Sequence, residues 1–159
     1  MKNRGMLLES ILNTTINLYR KNNVALFHKK EIPISFGKVI KNGKNIRLDN
    51  AFIKSKSTSD YYGVFKGKFI AFEAKSTNQK SLPLSNIKHH QRKYLNDVQN
   101  HGGIAFYIFS FKTYDKYFMI YVDTIENLRK KSFSLDDANE HGIELDLVFP
   151  GILDFLAHL

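Results

Sequence analysis

The stretch from Ser59 to Lys75 reads Ser-Asp-Tyr-Tyr-Gly-Val-Phe-Lys-Gly-Lys-Phe-Ile-Ala-Phe-Glu-Ala-Lys and predicts a β-hairpin. Lys66-Gly67 suits the two-residue turn of such a hairpin, which makes opposed residue numbers sum to 133. Asp60 then lies across from Glu73, with the two β-carbons about 4.5–5.5 Å apart. Lys75 emerges on the same face as Glu73, two residues further along. The interpretation depends on this register, because a slip of one residue would turn every side chain to the other face.

Two carboxylates beside an amine predict a divalent-metal site. Asp60, Glu73 and the backbone carbonyl of Ala74 are hard oxygen ligands of the kind that Mg²⁺ and Mn²⁺ prefer. Open coordination positions would hold a scissile phosphate and the attacking water, and Lys75 would position the nucleophile or balance the developing charge. This set favours phosphodiester hydrolysis over glycoside chemistry. The pattern is short, however, and also suits a structural cross-strand polar pair.

The composition indicates a folded protein that meets a polyanion. The chain has 159 residues and no cysteine, which predicts one domain over residues 1–159 without disulfides or thiolate metal sites. Residues 1–93 hold 19 of the 24 Lys and Arg residues but 5 of the 15 Asp and Glu residues, a net charge of +14. The rest of the chain has a net charge of −5. This asymmetry predicts nucleic-acid binding, and the alternative is a solvated basic surface.

Residues 28–56 form the most basic segment and are predicted to be a protruding hairpin, which we call the stalk. Asn42-Gly43 is a type I′ turn signal between two short apolar runs. Such an arm can follow phosphate backbones, and the alternative is a floppy surface excursion. The predicted DNA-binding cations of this segment are Lys29, Lys30, Lys38, Lys41, Lys44, Arg47 and Lys56.

The remaining pattern predicts an α/β fold in which helices flank a mixed sheet. Ser85 is expected to cap a helix that carries Lys88 and Arg92 on its outer side, where both could contact phosphates. Thr124 and Ser134 are expected to cap two short helices. The predicted ranges are helices at 5–20, 86–101 and 152–159 and strands at 24–27, 104–111, 117–122 and 143–149.

Several other functional classes find no support in the sequence. The apolar runs are too short to span a bilayer, so no membrane role is expected. The six histidines are scattered, and the serines show no Ser-His-Asp arrangement. There is no phosphate-binding glycine-rich loop and no recognisable aromatic platform for RNA.

The chain resembles the RecU family of Holliday junction resolvases along nearly its whole length. The similar segments are Asn3 to Glu9, His28-Lys29-Lys30, Ser57 to Gly63, Phe72 to Lys75, Pro83-Leu84 and His90-Gln91. The resemblance implies a restriction-endonuclease-like fold, a homodimer, and symmetric cleavage of four-way DNA junctions. It also implies that the stalk enters the centre of the junction.

The same resemblance implies roles for individual residues. Asp60 and Glu73 would bind Mg²⁺, with Mn²⁺ able to substitute, and Lys75 would assist the water. Glu9 would complete the site, Gln91 would support it, and Arg4 and Ser59 would contact DNA. A recombinase or a branch-migration helicase is a possible further partner, and the location is expected to be cytoplasmic and nucleoid-associated. Two other hypotheses stay open: a related nuclease with another DNA substrate, and a DNA-binding recombination accessory protein that anneals strands or modulates a recombinase.

Overall fold

The predicted hairpin is present with the expected register. The computed structural model describes residues 6–55 and 57–159. In it, strand β6 (Tyr61–Phe65) pairs antiparallel with strand β7 (Lys68–Thr77), and Phe65 faces Lys68. The two turn residues, Lys66 and Gly67, both have positive φ, 48° and 75°, as a type I′ turn requires. The strands therefore carry their side chains on the faces that the sequence indicated.

A six-stranded mixed sheet forms the centre of the fold, which confirms the predicted α/β architecture. Strand β7 runs parallel to strand β9 (Ile104–Phe111) and is joined to it through helix α2 (His89–Asn100), while the other neighbouring pairs are antiparallel. In spatial order the strands are β1 (Leu26–Lys29), β6, β7, β9 (Ile104–Phe111), β10 (Lys116–Tyr121) and β12 (Ile143–Leu145). The helices are α1 (Met6–Lys21), α2 (His89–Asn100), α3 (Val122–Leu128) and α4 (Leu135–His141).

Each face of the sheet has its own apolar core. On one face α1 packs through Leu8, Ile11 and Leu12, which are 0–6% exposed. On the other face α2, α3 and α4 contribute buried side chains such as Leu95 and Ile125. Strand β7 is thus covered on both sides, and helix α1 and helix α2 both reach its carboxyl-terminal half.

A row of stacked rings fixes the middle of the sheet beside the acidic pair. Tyr61, Phe72 and Phe106 lie opposite one another on β6, β7 and β9. Their ring centroids are 4.8 and 5.0 Å apart, with interplanar angles of 8° and 7°. Such cross-strand aromatic pairs stabilise a sheet. The row holds the register next to Asp60 and Glu73.

The stalk is a long two-stranded arm outside the main sheet. Strand β3 (Lys38–Asn42) pairs with β4 (Asn45–Asp49), and nearer the domain β2 (Ile34–Ser35) pairs with β5 (Phe52–Ile53). Opposed numbers sum to 87 in both pairs, so the two ladders share one register. The turn is Gly43-Lys44 rather than the predicted Asn42-Gly43, since Asn42 pairs with Asn45. Gly43 alone has positive φ there, 60°, which is the pattern of a type II′ turn.

Some element boundaries differ from the prediction. The first strand runs to Lys29, so the arm leaves the sheet after that residue. Ser85 lies in a 3₁₀ turn, Leu84–Asn86, and does not cap α2. Thr124 lies inside α3, because β10 passes straight into that helix at Tyr121. By contrast, the predicted Ser134 cap is confirmed, because Ser134 Oγ accepts the Asp137 N–H at 3.0 Å.

The C-terminal segment is not the predicted strand followed by a helix. The expected strand 143–149 is split into β12 and the short β13 (Leu147–Val148). The expected helix 152–159 begins as strand β14 (Ile152–Leu153) and ends in a 3₁₀ turn, Leu156–His158. The Leu153 N–H donates to the buried Oγ1 of Thr15 at 3.0 Å, which ties the segment to α1 as extended chain. Strands β8 (Ser81–Pro83) and β11 (Ser132–Ser134) form a further small ladder.

Among the described residues, no helix has the length and apolar character needed to cross a bilayer.

Gly63 is needed where β6 passes β1. A β-carbon there would lie 2.2 Å from the Leu26 carbonyl oxygen and 2.6 Å from the Phe27 ring. We therefore expect Gly63→Ala to lower the free energy of unfolding by about 1–3 kcal/mol, measured by urea denaturation. Gly37→Ala is the matched control, because its nearest neighbour would be 3.5 Å away. Equal stability of the two variants would contradict this packing.

Candidate active site

Glu73 is the centre of the site and is completely buried. Its Oε1 accepts hydrogen bonds from Lys75 Nζ, at 2.5 Å, and from Gln91 Nε2. Its Oε2 accepts the backbone N–H of Asp60 at 3.1 Å. A buried carboxylate is tolerated only when such donors replace water. The carboxylate therefore binds together strand β7, helix α2 and the residue that precedes strand β6.

Asp60 lies beside Glu73, as the register predicted. Its Oδ2 accepts the backbone N–H of Ala74 at 3.1 Å, while its own N–H reaches Glu73. These two side-chain bonds continue the β6–β7 ladder beyond Tyr61. Asp60 also lines the cleft above the pair, where its carboxylate can meet a ligand.

Gln91 is oriented by the start of helix α2. Its Oε1 accepts the Lys88 N–H at 3.0 Å, so the amide nitrogen must point at Glu73. Lys88 is the N-cap residue, and its carbonyl accepts the N–H groups of Gln91 and Arg92. The helix begins at this point because Ile87 is buried in an extended conformation after the 3₁₀ turn.

Burial dominates the electrostatics of Glu73. It raises the pKa of the Glu73 carboxyl from 4.5 to about 8, and the charge of Asp60 adds to the increase. The ammonium of Lys75 acts in the opposite direction without cancelling it. In the metal-free protein, Glu73 therefore holds a proton at neutral pH. Two neighbouring carboxylates that resist simultaneous ionisation are the arrangement that a divalent cation stabilises.

A cleft of about 370 Å³ opens above the acidic pair. Helix α1 and the end of β1 form one wall, the 3₁₀ turn and Lys88 form the other, and the ends of β6 and β7 form the floor. Its polar lining residues are Glu9, Lys29, Asp60, Tyr61, Lys75, Ser76, Asn86 and Lys88. Three of these side chains are ammonium groups, so the cleft suits a phosphate that approaches two carboxylates.

The donor set fits a magnesium ion. Asp60 and Ala74 line the cleft, and Glu73 supplies a second carboxyl group that is buried directly beside Asp60. The Oγ of Ser76 beside them is buried and unpartnered within the described residues. Oxygen-only ligands with room for water are what Mg²⁺ prefers. Asp60, Glu73 and the Ala74 carbonyl are thus the oxygen groups here that could hold a divalent cation, and this role stays a prediction.

Glu9 reaches the cleft but does not join the acidic pair. Its carboxylate bonds to Lys29 Nζ, and both side chains are partly exposed. Within residues 6–55 and 57–159, no three acidic or histidine side chains lie close enough to form a metal cluster. Glu9 therefore lies at the wall of the cleft, paired with Lys29, and not among the hydrogen-bond partners of Asp60 and Glu73. No local pattern predicts the Glu9–Lys29 pair, because it joins residues 20 positions apart.

The predicted DNA-binding residues fall into three groups. The stalk cations Lys38, Lys41, Lys44 and Arg47 are exposed on the arm. Lys29, Lys30, Ser59, Lys88 and Arg92 lie at or near the cleft. Arg4 and Lys56 lie outside the described residues.

Besides Lys29, which is paired with Glu9, three residues in the second group already have protein partners. Lys30 Nζ donates to Thr58 Oγ1 at 2.7 Å, and buried Ser59 donates to the Tyr61 carbonyl. Arg92 donates to both carboxylate oxygens of Glu126, at 3.1 and 2.8 Å. The sequence prediction missed the Lys30–Thr58 and Arg92–Glu126 bonds, because each joins segments that only the fold brings together.

Comparison with known proteins gives relatives along the whole chain. The family model described as Recombination protein U (RecU) matches residues 3–159. A protein of Mycoplasmopsis pulmonis named Holliday junction resolvase RecU is 43% identical over 155 residues, which are 98% of this chain and 92% of that protein. A Bacillus cereus protein of the same name is 36% identical over 163 residues, with 97% and 82% covered.

The fold is also found in a solved structure of low sequence identity. It is the 1.6 Å structure of Archaeoglobus fulgidus Hjc, described as a Holliday junction resolvase from an archaeal hyperthermophile. The TM-score is 0.52 at 12% identity, and the match covers 86% of this chain and 94% of that one. This likeness shows the fold and supports the predicted fold class. From the family model and the relatives together, the chain belongs to the RecU family.

Proposed function

We propose that this chain is a Mg²⁺-dependent endonuclease that resolves four-way DNA junctions in recombination and repair by symmetric phosphodiester hydrolysis. The observation that carries the proposal is the buried Glu73, which is bonded to Lys75, Gln91 and the Asp60 N–H beneath a cleft that Asp60 and Lys75 line. Relatives named Holliday junction resolvase support the choice of substrate. Mn²⁺ is expected to replace Mg²⁺, because both accept the same oxygen ligands.

Each residue at the floor has a part in the proposed reaction. Asp60, Glu73 and the Ala74 carbonyl would hold the metal, which when bound neutralises charge on the phosphate and lowers the pKa of a ligated water. Lys75 is 21% exposed and reaches the cleft, where its ammonium can orient the attacking water and balance the charge of the pentavalent phosphorus. Gln91 keeps Glu73 in place, and Glu9 holds Lys29 at the wall.

The assembly proposed for this activity is a homodimer in which each copy carries one site. A four-way junction is two-fold symmetric, and two nicks are needed to resolve it, so a two-fold dimer matches the substrate. We propose that residues 1–159 act as one nuclease domain with the stalk inserted in it. The same proposal includes a recombinase or branch-migration helicase as a partner. It also includes a cytoplasmic, nucleoid-associated location, since the substrate is DNA.

Metal ligation and water activation can be separated by two variants. Glu73→Gln removes a metal ligand and, in the metal-bound form, the negative charge of the ionised carboxylate beneath the cleft, so we expect cleavage to disappear while junction binding stays or tightens. Lys75→Ala is expected to bind the metal as wild type does, which calorimetry measures. Its rate of single-turnover cleavage should fall by about 10²–10⁴-fold. Joint loss of binding and cleavage in Glu73→Gln would contradict the assignment and indicate a structural role.

The pKa of Glu73 predicts how the metal-free protein responds to pH. The folded state keeps the Glu73 proton up to about pH 8, whereas the unfolded chain loses it near 4.5. The carboxyl therefore lowers stability progressively as pH rises from 4.5 to 8. Relative to wild type, Glu73→Gln should gain unfolding free energy across this range and level off above pH 8. Chemical denaturation in EDTA measures it, and a pH-independent difference would refute the shift.

Removal of the stalk distinguishes a junction-selective enzyme from a related nuclease that acts on another substrate. Residues 36–50 make no part of the main sheet, and Ser35 faces Phe52 at the base of the arm. Replacing residues 36–51 by two glycines would connect the paired Ser35 and Phe52 through a two-residue turn, and it should leave the unfolding midpoint nearly unchanged. We expect the preference for a junction over linear duplex to be lost in competition binding. Retention of that preference would contradict a role for the stalk in recognition.

A further inference from the structure

A run of three cations in the acidic half of the chain has no role in the site described above. Residues 94–159 contain five Lys and Arg residues, and three of them are consecutive: Arg129, Lys130 and Lys131. They follow helix α3, and Arg129 adopts a left-handed conformation with φ of 49° that turns the chain there. All three residues are exposed. The fold therefore concentrates positive charge at one turn.

This turn forms one wall of a second groove, distinct from the catalytic cleft. The groove has a volume of about 870 Å³. Helix α2 forms the opposite wall with Arg92 and Lys93, and Lys130 and Lys131 face them. Glu126 is the one carboxylate among the described residues that line it. The charged side chains of the lining therefore carry a net charge of +3 without histidine, which suits a polyanion.

The groove and the catalytic cleft are separated only by residues 84–88. Asn86 and Lys88 line the cleft, while Ser85 and Ile87 line the groove. The Leu84 N–H donates to the Lys131 carbonyl at 2.9 Å, so the cationic turn is attached to this dividing segment. A strand whose scissile phosphate lies in the cleft can thus continue over the segment into the groove.

Ion pairs hold most of the groove's cations in place. Arg92 is bound to Glu126, Lys93 to Asp97 and Lys130 to Asp137. Their side chains nevertheless remain 33%, 66% and 51% exposed. Lys131 has no ion pair among the described residues and is free to meet a ligand. Three cations held by ion pairs, together with the ammonium of Lys131, form a surface suited to binding phosphates and not to recognising base edges.

We propose that this groove carries the phosphate backbone of the DNA strand on one side of the cleavage point. The inference rests on the proposed function and deepens it. It assigns the two groove walls, helix α2 and residues 129–131, to the DNA arm of the junction that lies beside the cleavage point. Contacts of this kind supply affinity and register without sequence preference. The groove is therefore expected to act on binding and to leave the chemical step unchanged.

The double variant Lys93→Gln/Lys131→Gln tests the proposal, since it removes one exposed charge from each wall. We expect the Kd for a four-way junction to rise on the order of tenfold at moderate salt. The slope of log Kd against log salt should fall by about one for each cation. Single-turnover cleavage at saturating protein should stay equal to wild type. Binding is measured by fluorescence anisotropy in EDTA, so the readout does not depend on activity.

Lys21→Gln/Lys66→Gln is the matched control. Both lysines are exposed and neither lines the cleft or the groove. Equal effects of the two double variants would overturn the proposal, because general charge would then explain the change. Failure of the proposed function is distinguishable, since wild type itself would then show no junction selectivity and no cleavage.

A position-specific test uses the absence of cysteine from the chain. Lys131→Cys, labelled with a photo-crosslinker, provides a single attachment point on the groove wall. We expect crosslinks to the cut strand within about one helical turn, ~10 base pairs, of the cleavage site. Lys66→Cys is the control. Crosslinking no greater than that of the control would place the strand elsewhere and contradict the proposal.

Discussion

The burial of one carboxylate, Glu73, constrains the whole site. Its two oxygens need donors, because an unpaired buried carboxylate costs far more than the fold can supply. The donors come from Lys75 on the same strand, from Gln91 on helix α2, and from the backbone ahead of strand β6. Two separate elements must therefore dock on β7 before the acid is satisfied. The same contacts hold Asp60 beside Glu73, so the bonds that satisfy the buried acid also build the site that we propose for the metal.

The arrangement of the acidic pair was predictable from the local sequence. The Lys66-Gly67 turn and the alternation of side chains determine which residues face each other, and both are properties of neighbouring residues. Asp60, Glu73 and Lys75 accordingly lie as predicted. The stacked Tyr61, Phe72 and Phe106 rings then extend that register into β9. The hairpin of the stalk, at residues 34–53, was also predictable, because its turn signal and its apolar residues are close together in the sequence.

The remaining features depend on contacts between distant segments. The Glu9–Lys29 pair and the Arg92–Glu126 pair join elements that only tertiary packing brings together. The start of α2 was misplaced because Ser85 suits a cap, whereas burial of Ile87 in extended form delays the helix to Lys88. The C-terminal segment has helical residues, yet its bond to Thr15 holds it extended. In each case a tertiary interaction outweighed a local preference.

The central claim is that the acidic pair and Lys75 cut junction strands in symmetric pairs. The most direct measurement maps the cuts on all four labelled strands of a mobile four-way junction in Mg²⁺, for wild type and Asp60→Asn, with linear duplex as competitor. The account predicts paired nicks at symmetric positions on two opposed strands by wild type alone. Equal cutting of linear duplex, or cutting retained in Asp60→Asn, would contradict it.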